Sequence, residues 1–203
     1  MNSVIFLGCK DLAFSDFETE QIRKALLAEA RRCAAMLGMR KTSVDQLTQA
    51  VGISKGSFYK FYDSKELLFF AVLEDIHAEL YDVADGVLHE NIDLPSAERA
   101  SKAILAVCKR MADTGMMTFI ENDVPSLLQR LPDSVKAEHY HDDETHIHAL
   151  LEANVLVSRG GAALATAAVR GLILTVSHKK QIGELYPQVL KLLVHGACTE
   201  LFS

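Results

Sequence analysis

The chain has 203 residues, a net charge of −6, 49% hydrophobic side chains and 24% charged ones. That balance excludes a disordered or low-complexity protein and supplies enough apolar surface for a buried core. No stretch approaches the roughly 18 uninterrupted apolar residues of a membrane span, so no membrane partner is expected. The four cysteines, Cys9, Cys33, Cys108 and Cys198, lie far apart with no CxxC pair. They read as reduced, mostly buried thiols of a cytoplasmic protein.

The sequence shows no sustained period-two alternation and no Asn-Gly or Asp-Gly hairpin signal, whereas helical periodicity recurs throughout. An all-α fold of about nine helices is expected. Residues 1–16 read as an apolar and acidic arm. Ile22, Leu26, Cys33 and Leu37 then mark one face of a first helix stopping near Gly38. A second helix over Val44 to Ala50 buries Val44, Leu47 and Val51. A third starts at Ser54, a good N-cap, and ends near Tyr62. Ser64 caps a fourth, with Leu68, Val72, Ile76 and Leu80 as its apolar stripe.

Further helices are expected from about Ala97 to Gly115 and, as short pieces broken by Pro125 and Pro132, over 118–135. A polar, histidine-rich helix follows over Asp133 to Ser158. Gly160-Gly161 breaks the chain before two apolar helices near Ala162–His178 and Leu185–Phe202. Their small residues Ala168, Gly171, Gly196 and Ala197 permit close helix approach. That pattern reads first as intrachain core and second as a two-fold interface.

Charge is distributed unevenly. Between Glu20 and Lys65 stand nine basic and four acidic side chains, net +5, while the chain after Lys65 is net −9. A basic head on an acidic body is the expected footprint when only the head meets phosphate. Within that head, Thr42 to Lys65 reads as helix, tight turn and short second helix. This is the order of a helix-turn-helix entering the DNA major groove. Gly52 suits a left-handed turn, and Gly56 would let the helix backbone approach DNA closely. Lys55 and Ser57 are placed to reach base edges or nearby phosphates. Tyr59, Lys60, Lys65, Thr42 and Ser43 are placed for phosphate oxygens.

The motifs Thr42-Ser43, Gly52-Ile53-Ser54, Lys55-Gly56-Ser57-Phe58-Tyr59, Phe61-Tyr62 and Lys65-Glu66-Leu67-Leu68 keep an unbroken spacing. They resemble the DNA-binding domain of the tetracycline-repressor (TetR/AcrR) family of bacterial regulators, with Ser57-Phe58 where Thr-Leu is commoner. The close match covers about residues 20 to 75. The resemblance implies a helix-turn-helix domain over 17–65 and a helical effector-binding and dimerisation domain over 66–203. It further implies a homodimer through the last two helices, a double-stranded operator and a small-molecule effector, with no enzymatic activity and no cofactor.

In the second domain Met111, Met116, Met117, Phe119 and Ile120 could line an apolar effector pocket or form core. His139, Asp142 and His146 sit at spacings that could present metal ligands along one helix, or form a solvated face. The rival reading is a helical metal-binding protein or di-iron-type enzyme, since Glu74-x-x-His77 and Glu138-x-x-His141 repeat a Glu-x-x-His spacing.

Overall fold

A computed structural model describes residues 14–202, the side chains of 140–143 excepted, and among these residues there are helices and turns but no strand. The order is α1 (Asp16–Met36), α2 (Val44–Val51), α3 (Lys55–Phe58), α4 (Lys65–Glu90), α5 (Ser96–Asp113) and α6 (Met117–Asn122). Then come α7 (Val124–Arg130), α8 (Asp133–Ala153), α9 (Gly161–Leu174), α10 (Lys179–Ile182) and α11 (Tyr186–Leu201), with single 3-10 turns either side of α10. Cys9 and most of the N-terminal arm lie outside the described residues.

Local chemistry sets the helix starts. Ser15 and Glu18 form a capping box on α1, and Ser43 with Gln46 forms another on α2. Ser54 and Ser64 cap α3 and α4 through their hydroxyls. Each satisfies an amide that the helix itself cannot. Pro125 sits in the first turn of α7 and Pro132 caps α8, so both prolines begin helices.

Three expectations need correction. Leu37 is 44% exposed because it stands beyond the last turn of α1 and leaves the buried stripe. The third helix stops at Phe58, and the chain to Tyr62 bends through tight turns closed onto the Ser57 and Phe58 carbonyls. The histidine-rich helix stops at Ala153, where Asn154 turns the chain and Val155 takes a left-handed φ of 54°.

Two apolar cores share α4. The first gathers Leu26, Leu47, Phe58, Leu68, Phe69 and Val72 with Phe119 and Leu127 of α6 and α7. The second gathers Leu88, Ile104, Cys108 and Leu151 with Val176, Val194 and Phe202. Burial raises the thiols of Cys33 and Cys198 and pushes Cys108 up to about 11, so all three stay protonated at neutral pH.

Polar ties link the helices. Buried Arg99 donates to the carbonyls of Leu88 and Asn154 at 3.2 Å each, placing a cation at the C-terminal ends of α4 and α8. The Asp123 carboxylate, between α6 and α7 and 4% exposed, accepts the Met39 amide at 2.8 Å. Its other oxygen faces Arg40 Nε at 3.7 Å. Arg31 of α1 pairs with Asp75 and Glu79 of α4, and Glu79 also receives Arg110 of α5.

Burial alone would raise the Glu79 carboxyl, but the two guanidiniums outweigh it and hold its pKa below the ordinary value. A depressed folded-state pKa adds stability above the unfolded pKa, and that stability is lost as acid protonates the folded carboxylate. Glu79→Gln is therefore expected to lower Tm at neutral pH, with the gap to the parent closing below about pH 4. Thermal melts across a pH series check this; a gap constant down to pH 3 would contradict it.

Candidate nucleic-acid interface

The interface is built on the α2–α3 unit. Gly52 ends α2 at φ +77°, a backbone that a side chain would strain, and the chain reverses there within three residues. Ser54 Oγ accepts the Ser57 amide at 3.0 Å and lies 2.9 Å from the Ser57 hydroxyl. Phe58 is fully buried and meets the edge of Tyr59 at 5.3 Å, which anchors α3 and leaves Tyr59 49% exposed. Lys55 and Gly56 are exposed on α3, and Lys60 is exposed in the turn that follows it.

Lys55 Nζ lies 3.0 Å from Asp45 of α2, with both side chains more than half exposed. Such a pair is worth at most about 1 kcal/mol, so the lysine can trade it for a phosphate. Gly56 has no positive φ, and a Cβ there would meet only Ser54 Oγ at 3.8 Å, an ordinary contact. Nothing inside the chain therefore demands a glycine at this helical position.

The remaining expected residues divide. Ser43 is exposed at the start of α2, where its hydroxyl accepts the Gln46 amide at 3.1 Å. Thr42 is 1% exposed and its hydroxyl donates to the Gly38 carbonyl at 2.9 Å, so that hydroxyl braces the α1–α2 turn. Lys65 Nζ donates to the carbonyls of Met39 at 3.0 Å and Thr42 at 2.8 Å, fastening α4 to the same turn. One proton of that ammonium remains to point elsewhere. The two Lys65 bonds depend on carbonyls more than twenty residues away, a signal that spacing does not carry.

A cavity of about 330 Å³ lies between α4, α5, α8 and α9. Its wall is mostly aliphatic, with His77, Tyr81, His139 and Arg170 as polar members. Of the five residues expected there, Met111 and Ile120 line it. Met116 and Phe119 instead lie in the first core, Phe119 against the Phe69 ring at 6.0 Å, and Met117 bridges the two cores.

The expected metal residues are also redistributed. His139 is 5% exposed and its Nδ1 lies 2.6 Å from Glu74 Oε1. His146, two turns further along α8, stacks on Tyr81 at 5.1 Å. The Asp142 side chain lies outside the described residues. Glu138 is exposed, so its carboxylate does not turn inward as a di-iron ligand would, and the His141 side chain lies outside the described residues.

This arrangement defines a helix-turn-helix DNA-binding transcriptional regulator. Residues 26–72 match the family model for bacterial regulatory proteins of the tetR family. An HTH-type transcriptional repressor of Mycobacterium tuberculosis is 26% identical over 134 residues, which span 51% of this chain and 72% of the relative. An uncharacterized HTH-type regulator of Bacillus subtilis is 28% identical over 85 residues, 42% of this chain and 43% of the relative. A TetR-family regulator from Pectobacterium atrosepticum shares the fold at TM-score 0.65 and 19% identity, over 91% of this chain and 94% of that one. Over residues 26–72 the chain thus resembles the DNA-binding domain of the tetR family.

Two measurements test the residue roles. Gly56→Ala is expected to leave Tm unchanged or raise it, because a helical glycine costs up to about 1 kcal/mol, while weakening DNA binding about tenfold or more. Unchanged affinity would remove Gly56 from the interface. Lys60→Ala is expected to spare Tm and lower the salt slope of DNA binding by about 0.9. Lys65→Ala, by contrast, should cost about 1–3 kcal/mol of stability. Urea melts beside anisotropy titrations at several salt concentrations separate the two lysines.

Proposed function

We propose that this regulator is a homodimeric repressor that grips a roughly palindromic operator and lets go when an apolar small molecule fills the cavity. The observation that carries the DNA reading is the exposed first turn of α3, with its unneeded glycine, seated on buried Phe58. Lys55, Ser57 and Tyr59 face outward from it for base edges and phosphates, with Ser43 and Lys60 on the flanking backbone.

Dimerisation is supported by an unpartnered apolar stripe. Leu164 and Leu174 of α9 are 52% and 63% exposed, and Leu192 and Leu193 of α11 are 73% and 43% exposed. Gly171 and Gly196 stand among them, and a Cβ at either would find no atom within 4 Å, so a facing helix can approach closely. The run Gly161–Leu201 is long and apolar enough to cross a membrane by length and composition, but 3-10 turns and Gly183 at φ +80° divide it into α9 and α11, of 14 and 16 residues. A second copy covers the stripe with four helices and sets two heads about 34–36 Å apart, one DNA turn.

Release is supported by the place of Asp123. Ile120 and Val124 line the cavity on either side of it, and its carboxylate holds the Met39 amide at the base of the head. An occupant that displaces those two side chains moves Asp123, and with it the head. The effector need only favour one head separation over another.

The test selects bound sequences from a randomised DNA pool with full-length protein, then compares the parent with Leu192→Glu. Expected are a two-fold symmetric site, a dimer in sedimentation and, for the variant, a folded monomer with at least tenfold weaker operator binding. Selection of no sequence above non-specific binding would sink the operator, and a parent that sediments as a monomer on DNA would sink the dimer.

A further inference from the structure

We infer that Glu74, His77 and His139 form a site for one divalent cation of the zinc class, with its open coordination position facing the cavity. The donor atoms of these three side chains all lie within 4.8 Å of one another. Glu74 and His77 are three apart on α4 and so share a face, while His139 reaches them from α8. His77 and His139 both belong to the cavity wall, and their rings lie nearly parallel at 5.2 Å.

The seam between the two helices is unusual. Over this stretch, the described contacts of α8 with α4 are made by imidazoles: His139 on Glu74, His139 against the edge of Phe70, His139 along His77, and His146 on Tyr81. Apolar packing flanks this stretch, with Val135 before it and Ile147, Leu150 and Leu151 after it. Between those flanks the seam carries two histidines and a carboxylate, donors that a metal can use.

The chemistry of the set selects the ion. Two imidazole nitrogens and one carboxylate oxygen suit zinc, cobalt or nickel, whereas magnesium and calcium take oxygen ligands. Three protein ligands with a fourth position left over is the arrangement of a zinc centre that keeps room for water or a ligand atom. Tetrahedral bonds of about 2.1 Å put donors about 3.4 Å apart. The 2.6 Å contact between His139 Nδ1 and Glu74 Oε1 must therefore widen slightly, while His77 turns inward. The cation takes the lone pair of His139 Nδ1, and the proton shared with Glu74 moves to Nε2 of the same ring.

This inference concerns the body and does not rest on the operator reading, because metal uptake and DNA affinity are separate measurements. Protein stripped of metal is titrated with Zn(II) by calorimetry and with Co(II) by visible absorption. Expected are one equivalent per chain, a raised Tm, and Co(II) bands of four-coordinate type. Glu74→Gln and His77→Gln, checked for native helicity and DNA binding, should each weaken uptake by at least about 10–100-fold. The surface control His148→Ala should bind as the parent does. No stoichiometric uptake by the parent overturns the site, as does uptake unchanged in both Glu74→Gln and His77→Gln or lost in the control.

Discussion

The buried carboxylate of Asp123 is the point on which the relation between the head and the rest of the molecule depends. It accepts the amide of Met39, the residue that begins the chain's path from α1 into the helix-turn-helix, and it neighbours Arg40. Buried ionised groups persist only when hydrogen-bonded or paired, so the carboxylate requires the head to stay where it is. Gly38 makes this possible twice over. Its φ of +82° ends α1, and a Cβ there would stand 2.8 Å from Asp123 Oδ2. The segments flanking Asp123 in turn form part of the cavity wall, so the head's anchor and the cavity share a few residues.

The long helix α4 completes that relation from the other side. At 26 residues it is about 39 Å long, with Lys65 fastened to the α1–α2 turn at one end and Leu88 in the second core at the other. Between them Glu74, His77 and Tyr81 face α8, while Asp75 and Glu79 receive Arg31 of α1. One element thus touches head, cavity and both cores. Any change in its tilt is felt at all of them, since packed interiors transmit displacement rather than absorb it.

Features whose cause is local were legible in the sequence. Ser54 and Ser64 cap helices through amides three residues away, Gly52 announces its turn, and the Leu68–Val72–Ile76–Leu80 stripe is buried as its period requires. Features whose partners lie far along the chain were not. Asp123 meets Met39 across 84 residues, and no spacing rule reaches that distance. Side-chain type made Met111, Met116 and Phe119 candidates for an apolar pocket, but it does not tell a cavity wall from solid core. The histidines show the same limit. Spacing along α8 grouped His139 with Asp142 and His146, whereas the fold brings His139 across to Glu74 and His77 on another helix.

The brevity of α3 carries a consequence for information rather than for structure. Four residues at 1.5 Å each make an element about 6 Å long, less than two base-pair steps of DNA. A probe that short can interrogate only a handful of bases, far fewer than are needed to mark one address in a bacterial genome. Two probes held at a fixed interval square the odds against a chance match. In the dimer proposed above, the spacing between the probes is part of the address, and a signal that altered the spacing would erase the address while leaving each probe's own surface unchanged.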